Sequence, residues 1–143
     1  MQQPPRVLIV EDELDIAALV ELLLTRAGYE VTVVSTGEEG LAEFEGTGAD
    51  LILLDLRLPG MNGWEVCRRV RETSQVPIIV VSAHIRPRDL DASTSLGADD
   101  YVTKPFSGRD LVARVGPLLE QRPIPFRRSS GDGATSPFLL NQR

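Results

Sequence analysis

Cysteine and histidine are all but missing from this chain: Cys67 and His84 are the single residues of their types. One thiol excludes an internal disulfide, and one thiol with one imidazole leaves zinc without a ligand set. Long apolar runs are missing too. No stretch approaches the roughly 20 residues that a membrane-spanning helix needs. The opening MQQPPR lacks the apolar core of a secretory signal, so no membrane association and a cytoplasmic location are expected. Positive charge is in short supply, with 15 Lys and Arg against 21 Asp and Glu and a net charge of −6. Residues 123–143 carry three Arg and one Asp, or +2, which leaves −8 on residues 1–122. A body of that charge is not expected to bind nucleic acid by itself. Carboxylate oxygen is plentiful, and it favours a hard cation such as magnesium.

The 143 residues, 42% apolar and 25% charged, suit one soluble domain with a proper core. Five short apolar runs recur: Val7 to Val10, Val31 to Val34, Leu51 to Leu54, Ile78 to Val81 and Tyr101 to Thr103. Helical patterns separate them, and this alternation predicts an α/β fold with a parallel sheet covered on both faces. The first helix is expected from about Leu14 to Ala27, with Ile16, Val20, Leu23 and Ala27 on its inner face and Gly28 as its stop. The second is expected from about Glu38 to Phe44 between Gly37 and Gly46. The third follows a loop of Pro59, Gly60, Asn62 and Gly63, and carries Trp64, Val66, Cys67 and Val70. Cys67 is expected to be a small buried residue without redox function. A fourth helix, Pro87 to Leu96, has few apolar residues and a Ser93, Thr94, Ser95 centre, so loose packing is expected. The last begins near Ser107 with Leu111, Val112, Val115, Leu118 and Leu119, and Pro117 is expected to kink or end it. Residues 1–122 are thus expected to form one domain, and 123–143 a linker or tail.

Carboxylates stand where such a fold does its chemistry. Asp55 ends the run LILL, while Glu11 and Asp12 follow Val7 to Val10. In open parallel sheets, ligands bind at the carboxyl ends of the strands, where the strand order reverses. If the two strands are neighbours, three carboxylates share one cleft. Unit charges about 4 Å apart repel by roughly 4 kcal/mol at an effective dielectric of about 20, so a positive partner is required.

VEDE (Val10 to Glu13), the strand-ending Asp55, Ser82 after IIVV, and Lys104-Pro105 after the last strand together resemble the receiver domain of two-component response regulators. The motifs occur in order across roughly residues 6–121. The resemblance implies a doubly wound, flavodoxin-like (βα)5 fold with five parallel strands in the order 2-1-3-4-5. It implies that Asp55 is a phosphoacceptor for a sensor histidine kinase, and that the domain is not an enzyme beyond Mg²⁺-dependent self-phosphorylation from a phosphodonor. Glu11, Asp12, Asp55 and the backbone carbonyl of Arg57 would hold the Mg²⁺. Lys104, aimed by a cis bond to Pro105, and Ser82 would contact the phosphoryl group, and Ser82 with Tyr101 would switch conformation. Glu13 is left as a capping acid before the first helix, and His84, just past Ser82, as an isolated loop residue.

GADDYVTKPF (Gly97 to Phe106) followed by LVARV most resembles the winged-helix (OmpR/PhoB-like), DNA-binding class. That likeness implies a homodimer through the fourth helix, fifth strand and fifth helix. Asp99 or Asp100 would pair with Arg114 across it, and Asp110 with Arg88. Pro117 and the polar fourth helix depart from the pattern and weaken the expected interface. DNA contact would belong to an output domain, of which SPFLLNQR looks like a first strand; a stand-alone receiver working by phosphorelay or protein binding is the alternative. A haloacid-dehalogenase-like phosphatase needs a second Asp where Arg57 stands. A flavodoxin-like cofactor binder needs a glycine- and serine-rich loop where Glu11 and Asp12 stand.

Overall fold

The computed structural model describes residues 3–83 and 97–121. His84, Arg88, the expected fourth helix and residues 123–143 lie outside the described residues. The strands are β1 (Arg6–Val10), β2 (Glu30–Val34), β3 (Leu51–Leu54), β4 (Ile78–Ala83) and β5 (Asp100–Lys104). The helices are α1 (Leu14–Arg26), α2 (Gly37–Gly46), α3 (Gly63–Arg71) and a C-terminal helix (Gly108–Gln121). All strand pairs are parallel, in the order β2-β1-β3-β4-β5.

Side chains alternate across a strand, so the run LILL feeds two cores at once. Leu51 and Leu53 join Val7, Ile9, Ile79 and Val81 on the face covered by Val20 and Leu24 of α1 and by Leu111 and Val115 of the C-terminal helix. Ile52 and Leu54 join Leu8, Val10, Ile78 and Val80 on the other face, under Leu41 of α2 and Val66, Cys67 and Val70 of α3. Burial on both faces is why these strands are continuous apolar runs.

Three details differ from the sequence expectation. The inner face of α1 is Ala17, Val20 and Leu24, with Ile16 packed at its margin, while Ala27 is the exposed C-cap. A leucine-rich helix offers several stripes at the same period, and the sheet selects one of them. Second, α2 is longer than expected, because Thr36 caps it: its hydroxyl accepts from the Glu39 amide at 3.1 Å, and Glu39 Oε1 accepts from the Ser35 amide at 3.2 Å. Third, the C-terminal helix continues through Pro117 to Gln121. A proline there forfeits one backbone hydrogen bond, and the apolar face of Leu111, Val115, Leu118 and Leu119 packed on the sheet holds both halves in place.

Candidate functional site

The pairing of β1 with β3 builds the site. The Asp55 amide donates to the Val10 carbonyl at 3.0 Å, and the Glu11 amide to the Val34 carbonyl at 3.0 Å, so the sheet pattern continues past the strand ends and fixes both acids. Carboxylate oxygens of Glu11, Asp12 and Asp55 lie within 4.8 Å of one another. Glu11 and Asp55 are 4% and 3% exposed, whereas Asp12 faces solvent.

Lys104 arrives from β5, beyond β4 from the acids. Its ammonium lies 2.9 Å from Glu11 Oε1, 3.0 Å from Asp55 Oδ2 and 3.3 Å from Glu13 Oε2, with the side chain 8% exposed. The Lys104-Pro105 bond is cis, as the resemblance implies. Backbone donors complete the cage: the Arg57 amide reaches Asp55 Oδ1 at 3.0 Å, and the Glu13 amide reaches Glu11 Oε2 at 3.0 Å. Burial pushes Glu11 up to about 7, against the pull of its hydrogen bonds to Lys104 and Glu13. Burial opposes the charge on Lys104, but hydrogen bonds to Glu11 and Asp55 outweigh it and hold the ammonium above its ordinary value.

Three carboxylates against one ammonium leave the cluster short of positive charge, and a hard divalent cation fits that deficit and those oxygens.

Glycines let the loop after β3 close over the site. A Cβ on Gly63 would run into the Asp55 carbonyl and the Leu56 Cα, and one on Gly37 would strike the Met61 carbonyl. Glu38 accepts the Met61 amide at 3.1 Å beside Gly60, whose φ is +71°. On the β4 side, Ser82 lies inside the strand and is 1% exposed. With Arg57, Asn62, Trp64 and Ala83 it lines a cleft of about 480 Å³. Tyr101, paired with Val80 in register, is an exposed residue of the sheet's edge strand.

The expected interface residues divide. Arg114 Nη1 donates to both oxygens of Asp100, at 3.0 and 2.9 Å, and its Nε to Asp110 Oδ2 at 3.3 Å, all within one chain. Asp99 has other partners within the chain. Its Oδ2 accepts from Arg71 Nη2 at 3.0 Å and from the Ile78 amide at 2.9 Å. Neighbours entering a strand point to opposite sides, so within the chain Asp99 and Asp100 take different partners.

Two residues were missed by sequence reasoning. Glu13, read there as a cap, contacts Lys104, and Arg71 is a hub for the segment entering β5. Both contacts span long sequence separations that no local pattern reveals.

Residues 7–116 match the family model described as response regulator receiver domain. The chain is 51% identical over 115 residues to the sensory transduction protein RegX3 of Mycolicibacterium smegmatis, covering 80% of this chain and 50% of that protein. It is 41% identical over 141 residues to the transcriptional regulatory protein BaeR of Escherichia coli, covering 99% of this chain and 58% of that protein. The chain thus spans about half the length of the curated relatives it matches. Among solved structures, a CheY-like response regulator receiver domain protein from Methanospirillum hungatei superposes with a TM-score of 0.79 at 32% identity, over 82% of this chain and 95% of that one. Family model, relatives and fold agree with the acid cage at the strand ends: the chain belongs to the receiver domain family of two-component response regulators.

Proposed function

We propose that Asp55 accepts a phosphoryl group from the phosphohistidine of a sensor histidine kinase, and that the modified domain changes its outer surface. The carrying observation is a buried carboxylate, Asp55, hydrogen-bonded at once to a buried lysine and to the amide of its own loop, beside two further acids. An Asp55 oxygen attacks phosphorus, the P–N bond breaks with its electron pair passing to the donor imidazole, and an acyl phosphate forms. Receiver domains bind Mg²⁺ at an acidic site. Here Glu11, Asp12, Asp55 and the Arg57 carbonyl would hold it, and the bound ion would neutralise charge on the phosphoryl oxygens.

Lys104 loses the free Asp55 carboxylate as partner once the phosphoryl group is attached, and its ammonium turns to the new oxygens. Ser82, buried beside the cleft, donates its hydroxyl to them, and Tyr101 swings from its exposed position toward the space that Ser82 leaves. The exposed face of β5 and the C-terminal helix then pairs with a second copy, with Asp100, Asp110 and Arg114 setting register. Likeness to a transcriptional regulatory protein over 141 residues supports control of transcription through an output domain outside this chain. Contact with DNA would be made by that domain.

The test is intact-protein mass after incubation with acetyl phosphate, with and without Mg²⁺, for the wild type and Asp55→Asn. One Mg²⁺-dependent phosphoryl adduct that is lost in the variant is expected. An adduct that survives Asp55→Asn overturns the assignment.

A further inference from the structure

We propose that Glu13 is a positioning residue that restrains Lys104 before phosphorylation, its carboxylate competing with the phosphoryl group for the lysine. The inference rests on Asp55 being the phosphoacceptor and assigns work to a side chain outside the acceptor and the metal cluster.

An ammonium has three N–H donors and no acceptor. In Lys104 each has a carboxylate within reach: Glu11, Asp55 and Glu13. Glu11 and Asp55 are buried and belong to the acid cluster, whereas the Glu13 side chain is 56% exposed and stands apart from it. Its position carries a second indication. Glu13 is the N-cap of α1, where Ser, Thr, Asp or Asn would bond an orphan backbone amide. Its side chain makes no capping hydrogen bond. The carboxylate reaches across to Lys104 instead, and only the Glu13 carbonyl serves the helix, accepting from the Ala17 amide at 3.0 Å.

Two separate gains follow from replacing it by a short capping residue. Glu13→Ser supplies the missing cap, so the helix is held better. The same change removes one carboxylate from Lys104, freeing an N–H donor for the incoming phosphoryl oxygens. The pair is solvent-exposed on its Glu13 side, which limits the gain to about fivefold in rate. A residue with a merely structural role would not couple higher stability to higher reactivity.

The experiment measures phosphoryl incorporation from acetyl phosphate with Mg²⁺ for the wild type, Glu13→Ser, Lys104→Met and the double variant, with Tm for each. Expected are a Tm for Glu13→Ser at or above that of the wild type, incorporation up to about fivefold faster, and no such gain on the Lys104→Met background. An unchanged rate in Glu13→Ser while the wild type is phosphorylated overturns the inference, and so does a gain that persists without Lys104. If the wild type takes up no phosphoryl group, it is the reading of Asp55 that fails. In that case, or if Lys104→Met is inert, the NMR signal of the Lys104 ammonium decides: it shifts in Glu13→Ser if the two side chains are paired, and an unmoved signal overturns the pairing.

Discussion

The two ends of this sheet treat charge in opposite ways. At the amino end, where chains enter the strands, Arg71 donates to the carbonyls of Gly97 at 2.6 Å, Val76 at 2.7 Å and Ser74 at 3.3 Å, and to Asp99 at 3.0 Å. Asp99 passes the interaction on to the Ile78 amide. One cation meets one anion, and the remaining donors meet backbone oxygens. At the carboxyl end, Glu11, Glu13 and Asp55 share a single ammonium, and Asp12 stands beside them. The first arrangement is neutral and closed; the second is short of positive charge. Balanced charge here joins segments, whereas the unbalanced cluster stands at the strand ends, where the proposed ion and phosphoryl group would bind.

Variants can break either end. The largest effect is expected from Asp55→Asn, which should abolish phosphoryl incorporation in the mass assay while the chain stays folded. Next is Arg71→Met. It leaves Asp99 and several loop carbonyls without their charged donor, and about 3 kcal/mol of stability should be lost in urea unfolding. Its folded fraction should still accept a phosphoryl group, because the damage lies at the far end of the sheet. A smaller change in stability in Arg71→Met than in an exposed-pair variant would contradict the comparison.

Filling the carboxyl end should stabilise where the amino end needs nothing. Mg²⁺ at about 100 times its Kd should add about 2.7 kcal/mol, seen as a higher Tm in calorimetry and reduced in Asp12→Asn. Without the ion, the burial of Glu11 gives stability a pH dependence. Its folded value of about 7 exceeds its ordinary 4.5, so the folded state binds more protons between these limits. The Glu11 contribution is therefore fully present below about 4.5 and is lost as pH rises through about 7. Unfolding free energies from pH 4 to 8 for the wild type and Glu11→Gln check this, since only the wild type should show the fall. The smallest effect is expected at Arg114, whose pairs with Asp100 and Asp110 are between 30% and 54% exposed on every side chain. Arg114→Ala should cost under about 1 kcal/mol, and its sharper readout is loss of association of the phosphorylated domain in sedimentation.

Much of the fold was legible because its strands are buried on both faces. Leu51 to Leu54 and Ile78 to Val81 are too apolar for half-exposed strands and too short for long helices, and Asp55 after such a run stood out against the plainer reading as a loop or capping acid. The order of strands and the cis Lys104-Pro105 bond came through family resemblance, since no periodicity specifies either. The rotation of α1 was not legible, because Ile16, Ala17, Val20, Leu23 and Leu24 satisfy more than one helical stripe. Nor was the partner of Asp99, which is Arg71, 28 residues away.

By itself the sequence determined, among the described residues, which segments are strands and roughly where the helices lie, and which residues carry acid, ammonium and hydroxyl, because these follow from local apolar patterning and residue type. Local patterning left it to tertiary structure that β1 lies against β3, so that Glu11 and Asp55 become neighbours, and that β5 brings Lys104 within reach of Glu13. Those contacts depend on how separate faces pack and on a register summed over the whole sheet, and neither quantity is stored in any short stretch of chain.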